Sequence, residues 1–253
     1  MQQYRYLPFE PIVGNVRKVG ETVFMAEILI KPEELSNIVP ARFNVISDTA
    51  YVIMTEASLR DEKSKNYDFI NPVYSQYYQG GILVKVKAGN HIGYSFVKRF
   101  ADRDWFVMES RFKGFDALPA FIRTTRFPTE MIPYYYIQKD SRLKAVATDG
   151  GFRIMSLGFD ADTPAENINN FDFIFANLLG YRHVEHFVEE RKGQVICDDI
   201  THEKITNIRY KDIWKGKDVQ LILCDKFIGK FQYELNSAYW FMMGYNNEGI
   251  EVL

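Results

Sequence analysis

Short strand-like segments follow one another along almost the whole chain, and this succession limits the possible folds more than any other feature. In each segment β-branched, aliphatic and aromatic residues alternate with polar ones, and most segments are separated by Gly, Asn or Asp at predicted turns. The segments are Thr22–Ile30, Ala50–Ser58, 82–90, Tyr94–Phe100, Trp105–Phe112, Phe121–Phe127, Tyr134–Ile137, Leu143–Thr148, Phe152–Phe159, Tyr181–Glu189, Val195–Asp199, Lys204–Tyr210 and Asp218–Leu223. The pattern predicts a mainly antiparallel β protein.

Two helix starts interrupt the strands. Pro32 opens the segment PEELSNIV, where Pro at the first helical position and two acids in the first turn favour a helix of about two turns. Thr163-Pro164-Ala165-Glu166 predicts a second helix, which Gly180 is placed to end. The aromatic segment Ser237–Gly244 is compatible with a helix or a closing strand. No repeat or linker is apparent, so residues 1–253 are expected to form a single domain.

Composition excludes several classes of function. The 253 residues carry 31 basic and 33 acidic side chains, a balance that gives no reason to expect nucleic acid as a partner. No apolar run reaches the length of a membrane span, so no membrane partner is expected. The two cysteines do not make a disulfide framework. A cytoplasmic protein with reduced cysteines is expected.

The segment 94–127 is the candidate site, because charged residues lie within runs that otherwise look buried. Its two aromatic runs, YSFVKRF and WFVMESRF, are both interpreted as strands joined by a tight turn at Ala101-Asp102-Arg103-Asp104. A buried charge is costly unless it is paired or used. The segment therefore deserves a functional interpretation as well as a structural one.

The order of elements resembles the acetoacetate decarboxylase family. The segment SNIVPARF, between a strand and a second strand with an internal acid, is similar to the start of that family. The segment EKITNIRYKDIWKGKDVQLILCD (203–225) is the closer match, with Lys204-Ile205-Thr206, Trp214 and Gly216 in register. The resemblance covers roughly residues 20–250. It implies a double antiparallel sheet folded into a cone-like barrel around an apolar cavity, in a homo-oligomer.

The family's catalytic lysine, which forms a Schiff base with a β-keto acid, is not found in its motif. The family has Gly-Arg-Glu followed by Pro-Lys-Lys, whereas this chain has Ser110-Arg111-Phe112 and then KGFDALPAFI. Arg111 matches, but the lysine pair falls near Leu118 or Ala120. Other pocket positions of the family fall approximately at Glu21, Met54 and Tyr78, and none of these is the family residue.

Four side chains are candidates for catalysis. Strand alternation places Lys98 on the same face as Tyr94, Phe96 and Phe100, where burial would lower the pKa of its amine; an edge lysine reaching water is the alternative. Glu56 shares its face with Met54 and is a candidate acid or base, or a surface acid. Glu109 and Arg111 would share a strand face, as a carboxylate-binding pair or a structural ion pair. The catalytic candidates are Arg111, Glu56, Lys98 and Glu109.

Side chains near these candidates are expected to bind substrate. Lys113 follows Arg111 by two residues, but its neighbour Gly114 favours an exposed loop position. Arg123 and Arg126 are possible carboxylate anchors. The expected substrate-binding residues are Tyr94, Phe96, Met54, Lys113, Phe115 and Arg123.

No cofactor or metal is expected. His183 and His186 lie three residues apart, and on a strand this spacing puts them on opposite faces, so they cannot bind one metal ion together. His91 and His202 fall in a turn and a loop. No phosphate-binding loop or nucleophile elbow is present.

Three functions remain open from the sequence. The first is a divergent enzyme of biosynthetic metabolism that acts on a small keto acid or polyketide-like molecule by acid/base chemistry, as a lyase or cyclase: dehydration, aldol-type reaction or cyclisation. The second is a Schiff-base decarboxylase whose amine comes from Lys98 or Lys113. The third is a non-catalytic protein that binds a small molecule.

Overall fold

Strands dominate the computed structural model, which describes residues 16–61, 73, 75–125, 137–166, 171–185 and 194–253. Within these ranges the strands are β1 Arg17–Leu29, β2 Asn44–Asp61, β3 Gln76–Ala88, β4 His91–Ala101, β5 Ala117–Pro119, β6 Phe121–Thr124, β7 Arg142–Asp149, β8 Phe152–Pro164, β9 Asn177–Glu185, β10 Val195–Leu223 and β11 Glu234–Val252. The helices are α1 Pro32–Ser36, α2 Asp104–Phe112, α3 Phe171–Ala176 and α4 Asp225–Ile228. The mainly β class predicted from the sequence is confirmed.

Seven strands close into a ring. The strand order is β11-β1-β2-β3-β4-β9-β10-β8-β7-β6, with β5 beside β4, and β10 also pairs with β11. The pairings are antiparallel except for those of β4 with β5 and with β9. Beyond the ring, β8, β7 and β6 continue from β10 as a second layer.

The length of β10 allows it to pair with three strands: β9, then β11, then β8. The sequence predicted three separate strands here, Val195–Asp199, Lys204–Tyr210 and Asp218–Leu223. In the structure they form one strand, in which Asn207, Asp212 and Asp218 have positive φ values of 55°, 53° and 51°. They coincide with the register shifts of β10, so they bend one continuous strand without ending it.

The two faces of the ring bury two different cores. Phe24, Met54 and Ile82 point away from the ring interior and pack with residues of β6, β7 and β8; we call this the intersheet core. Val23 and Ile53 belong to the inner core. All of the remaining ring strands, and helices α2 and α3, also contribute residues to it. Strand alternation divides neighbouring residues between the two cores.

The segment 105–112 was predicted as a strand and is helix α2. Phe106, Glu109, Ser110 and Lys113 are buried and recur at i, i+3, i+4 and i+7, which is the spacing of one helical face. The dense aromatic residues suggested a strand. The segment is helical because the helix packs this face into the ring interior, and this packing outweighs local propensity. Consequently Glu109 and Arg111 do not share a face.

The second predicted helix begins later than expected. Thr163 and Pro164 end β8, where they pair with Lys215 and Trp214. The helix observed in this region is α3, which starts at Phe171, and Gly180 lies within β9. Ser237–Gly244, left open between helix and strand, belongs to β11. The predicted strand 134–137 lies largely outside the described residues, as does Arg126.

Candidate active site

Charged side chains are buried inside the ring, next to the apolar residues of the inner core. Glu21, Arg99, Glu109, Lys113 and Glu203 are each no more than 4% exposed. They surround a cavity of about 30 Å³, which is room for about two water molecules. Burial of five ionisable groups is costly unless they are paired or used, so this cluster is the candidate active site.

Lys113 lies at the centre of the cluster. It follows the last residue of α2, and its Nζ lies 2.9 Å from Glu109 Oε1, one helical turn earlier. On the other side it donates a hydrogen bond of 2.5 Å to Glu203 Oε1, from β10. Burial would lower the pKa of Lys113, but the carboxylates of Glu109 and Glu203 outweigh it, and the pKa is raised. The resting lysine is therefore an ammonium between two carboxylates.

The backbone of Lys113 is held in place by β9 and β10. Thr201 Oγ1 donates a 2.5 Å hydrogen bond to the Lys113 carbonyl oxygen. Gly180 passes so close that an added Cβ would overlap this same oxygen. Gly114, with φ of 86°, turns the chain, and its carbonyl oxygen accepts a 2.9 Å hydrogen bond from the Tyr181 N–H. These contacts fix where the amine enters the cavity.

Both acids beside Lys113 are ionised. Burial would raise the pKa of Glu109, but the charges of Lys113 and Arg17 outweigh it and lower the pKa to about 2. Arg17 Nη1 lies 2.8 Å from Glu109 Oε2. Burial would also raise the pKa of Glu203, but Lys113 and Arg99 outweigh it and lower the pKa. Glu203 Oε1 additionally accepts a 2.6 Å hydrogen bond from Asn247 Nδ2.

Arg99 supplies a third cation by a different arrangement. Its guanidinium lies 4.7 Å, 4.8 Å and 5.1 Å from the ring centroids of Phe96, Phe106 and Phe115. Its Nε and Nη2 donate to Gln79 Oε1 at 3.0 Å and 2.5 Å. Its Nη1 is buried and has no hydrogen-bond partner among the described residues, and the same is true of Glu203 Oε2. Both residues line the cavity, where water or a ligand can pair with these two atoms.

Glu21 completes the polar network behind Gln79. Its Oε1 accepts hydrogen bonds from Gln79 Nε2 at 3.1 Å and from the hydroxyl of Tyr245 at 2.8 Å. Burial raises the pKa of Glu21, and hydrogen bonds and the charge of Arg99 only partly oppose this. The chain of contacts therefore runs from Tyr245 to Glu21, Gln79 and Arg99.

Some residues predicted from the sequence lie at this site. Glu109, Lys113 and Phe96 line the cavity, and Phe115 packs against Arg99. Lys113 was expected to be exposed because of Gly114, but the helical phase of α2 directs its side chain inward. Tyr94 is buried in the inner core against Tyr51 and does not line the cavity.

Lys98 lies outside the cavity because of a β-bulge. Leu83 pairs with Phe96 and Ile82 with Lys98, so Val97 is an extra residue that reverses the alternation of β4. Arg99, the next residue, takes the inward position. Lys98 is half-buried and forms an ion pair with Asp116.

Met54, Glu56, Arg111 and Arg123 also lie elsewhere. Met54 belongs to the intersheet core, and Glu56, on the same face of β2, borders a surface pocket of about 720 Å³ together with Arg123. Glu56 Oε2 accepts a 3.3 Å hydrogen bond from Thr124 Oγ1. Arg111 is exposed on the outer side of α2, and its Nε donates to the Ala117 carbonyl oxygen at 2.9 Å.

Sequence reasoning missed Arg17, Gln79, Arg99 and Glu203. The resemblance placed family pocket positions near Glu21, Met54 and Tyr78, and of these Glu21 lines the cavity while Met54 and Tyr78 face the intersheet core. Gln79, one residue beyond Tyr78, takes the inward position. A shift of one residue on a strand exchanges the two faces.

The structure shows no metal site in the ranges it describes, where no group of three or more His, Cys, Asp or Glu side chains is arranged to hold an ion. His183 Nδ1 lies 3.5 Å from Asp198, and His186 is outside these ranges. Among the helices of the described ranges, none has the length and apolar character to cross a membrane.

Comparison with known proteins gives one family and several similar structures. The family model for acetoacetate decarboxylase (ADC) matches residues 6–252. No curated protein sequence matches the chain at a significant level. An acetoacetate decarboxylase-like enzyme from Sphingomonas wittichii RW1 has a TM-score of 0.84 and 14% identity, over 98% of this chain and 97% of that chain.

Two further structures are similar at the same level of identity. The enduracididine biosynthesis enzyme MppR, complexed with the condensation product of pyruvate and imidazole 4-carboxaldehyde, has a TM-score of 0.79 and 14% identity, over 95% of this chain and 89% of that chain. Acetoacetate decarboxylase from Legionella pneumophila subsp. pneumophila str. Philadelphia 1 has a TM-score of 0.71 and 14% identity, over 95% and 88% of the two chains. At this identity the similarity concerns the fold.

Proposed function

Because this chain belongs to the acetoacetate decarboxylase family, we propose that it is an enzyme that binds a small keto acid inside the ring and forms a Schiff base with it at Lys113. The observation that supports this proposal best is the position of the Lys113 amine, buried in a polar cavity between two carboxylates. Lys98, the other amine considered from the sequence, is paired with Asp116 away from the cavity.

Arg99 is the proposed partner of the keto acid's carboxylate. Its Nη1 is buried and has no partner among the described residues, while its Nε and Nη2 are fixed by Gln79. A guanidinium N–H donates a strong, charge-assisted hydrogen bond to a carboxylate. The carbonyl of a small keto acid held there would face the amine across the cavity.

Schiff-base formation requires no net proton exchange with solvent. The ammonium and the ketone give a protonated imine and one water molecule, so two protons of the ammonium leave with the carbonyl oxygen. Before attack, one proton must move from Lys113 Nζ to an adjacent acid, and Glu203 Oε1 lies 2.5 Å away. The transfer converts a buried ion pair into a neutral pair, which removes two desolvated charges and offsets part of its cost. Glu203 then returns the proton to the departing oxygen.

The cavity favours a small substrate. A volume of about 30 Å³ is far below the pockets that hold drug-sized ligands, so a keto acid of three or four carbons already requires side chains to shift. This supports a keto acid over a polyketide-like molecule. MppR, which shares the fold, has been solved in complex with pyruvate.

A second candidate function keeps Lys113 as an ammonium. Its raised pKa favours this form, which would donate a proton or a hydrogen bond to the carbonyl oxygen and stabilise an enolate. Dehydration, aldol-type reaction or cyclisation would then proceed by acid/base chemistry, without a covalent intermediate. The two candidates use the same cavity and differ in whether nitrogen becomes bonded to carbon.

Reductive trapping separates the two candidates. We expect incubation with pyruvate or acetoacetate and sodium borohydride to add the reduced keto acid to the peptide that contains Lys113, measured by intact mass and peptide mapping. Lys113→Met should abolish the adduct, and the matched control Lys98→Met should leave it unchanged. Thermal unfolding of each variant confirms that it is folded.

The remaining outcomes are also informative. Turnover of a keto acid that depends on Lys113 but gives no adduct would replace the Schiff base with the ammonium candidate. Binding without turnover or adduct would indicate a non-catalytic protein. An adduct on Lys98 would contradict the assignment of Lys113.

A further inference from the structure

Arg99 has an unusual partner for a buried arginine. Its contacts to Gln79 Oε1, at 3.0 Å and 2.5 Å, are made to a neutral amide. No carboxylate within the described residues forms an ion pair with Arg99. A buried cation is normally paired with an acid, because desolvation of an unpaired charge is costly.

The other two cations at the cavity are paired with acids. Arg17 contacts Glu109 at 2.8 Å, and Lys113 contacts Glu109 and Glu203 at 2.9 Å and 2.5 Å. These contacts neutralise the Arg17 and Lys113 side of the cavity internally. Arg99 forms no such ion pair within the described residues; its charge acts on Glu21 and Glu203 without a salt bridge, and its unpaired Nη1 is the atom left to a ligand.

Gln79 is held so that only its oxygen faces Arg99. Its Nε2 donates to Glu21 Oε1, which also accepts from the hydroxyl of Tyr245. A flipped amide would place its NH₂ group against the guanidinium and its oxygen against the oxygen of Glu21. The hydrogen bonds of Tyr245, Glu21 and Gln79 therefore fix the orientation of the Gln79 amide. The amide in turn holds the guanidinium of Arg99 in one orientation and so sets the position of Nη1.

Three aromatic rings around Arg99 increase the attraction between its charge and an anion. The ring centroids of Phe96, Phe106 and Phe115 lie within 5.1 Å of the guanidinium carbon, so apolar surface borders the charge away from the cavity. An anion that reaches Nη1 is attracted more strongly in such a site than in water. A neutral ligand of the same shape leaves the charge unpaired.

We infer that Gln79 is a specificity-determining residue: by pairing Arg99 with a neutral amide, it makes the cavity select carbonyl compounds that carry a carboxylate over neutral ones of the same size. This inference deepens the proposed function, since it concerns the substrate class of the same cavity. Gln79 acts through Arg99 and donates nothing to the reacting carbonyl.

The variant Gln79→Glu tests the inference with almost no change in shape. The new carboxylate would face both N–H groups of Arg99 and neutralise the guanidinium, and its second oxygen would meet Glu21, whose raised pKa favours the protonated form that donates to it. We measure dissociation constants for pyruvate and for its neutral isostere pyruvamide by titration calorimetry. The wild type should prefer pyruvate by at least about 10-fold, the size of one charge-assisted hydrogen bond. The variant should lose this preference or reverse it.

A matched control and a non-reacting ligand pair complete the experiment. Gln76→Glu makes the same change at an exposed position of β3 and should keep the wild-type preference. Acetate and acetamide report the same preference without a keto group that can react with Lys113. If Gln79→Glu prefers pyruvate and acetate as strongly as the wild type, the inference is wrong. If the preference follows Gln79 but no adduct forms on Lys113, the Schiff base fails and the inference stands.

Discussion

At the scale of single residues, the candidate site is a set of buried ionisable groups, and each group's protonation state depends on the charges of the others. Lys113 is charged because Glu109 and Glu203 outweigh the effect of its burial, and both acids are ionised largely because of Lys113. Removal of any one member leaves an uncompensated buried charge. Catalytic and structural effects of substitution must therefore be separated by measurement.

Glu109 provides a test based on pH. Its pKa falls from an ordinary value of 4.5 to about 2 in the folded protein. A carboxyl with a lowered pKa stabilises the fold above its unfolded pKa, and this stabilisation is lost as pH falls towards 2. The full effect, above about pH 5, is of the order of 3 kcal/mol. We expect the difference in unfolding free energy between wild type and Glu109→Gln to shrink steadily from pH 5 to pH 2.

Urea unfolding at pH 7, 5, 4, 3 and 2 measures this difference. The control is Glu234→Gln, which changes an exposed acid at the start of β11 and should alter stability by less than about 0.5 kcal/mol throughout. If the difference in unfolding free energy between the wild type and Glu109→Gln stays constant across this pH range, the charge of Glu109 does not contribute to stability.

At the scale of elements, α2 and the strands beside it place the amine. The C-terminus of α2 packs against β9 and β10 through Gly114, Gly180 and Thr201. Gly180 has an ordinary backbone conformation, so what it provides is space. Its missing side chain lets the backbone of β9 pass directly beside the Lys113 carbonyl.

Gly180→Ala should displace Lys113 and the end of α2. The added methyl group overlaps the Lys113 carbonyl oxygen and approaches Thr201 Oγ1 at 2.7 Å, so backbone must move. We expect a loss of about 1–3 kcal/mol in stability and at least a 10-fold slower trapping of pyruvate. Gly158→Ala is the matched control, because its Cβ would meet nothing closer than 3.6 Å. If Gly180→Ala traps pyruvate at the wild-type rate, β9 does not position the amine.

The limits of sequence reasoning are clearest at this scale. Alternation along β1, β2 and β3 predicted strands, and the mainly β fold followed from them. The bulge at Val97 could not be predicted, because it depends on the pairing between β4 and β3. As a result Arg99, and not Lys98, points into the cavity. The helical spacing of Phe106, Glu109 and Lys113 was present in the sequence, but aromatic density concealed it. Glu203 lies 90 residues from Lys113, and only closure of the ring brings them together.

At the scale of the whole molecule, closure of the ring through β10 and β11 separates an inside from an outside. Lys113, Glu203 and Arg99 lie inside. Arg111, Glu56 and Lys98, three of the four catalytic candidates from the sequence, lie outside, and the fourth, Glu109, lies inside. The division predicts that chemistry depends on the inner set alone.

The triple variant Arg111→Ala, Glu56→Gln, Lys98→Met tests this division. Lys98 is paired with Asp116, Arg111 donates to the carbonyl oxygen of Ala117 in β5, and Glu56 accepts from Thr124. Exposed or partly exposed pairs of this kind contribute about 0–1 kcal/mol each. We therefore expect the variant to fold and to trap pyruvate within about 2-fold of the wild-type rate, measured by mass spectrometry over a time course. Lys113→Met alone should show no trapping under the same conditions. A folded triple variant that traps pyruvate ten times more slowly would place part of the chemistry on the outer surface of the ring, and the cavity could not then be the complete site.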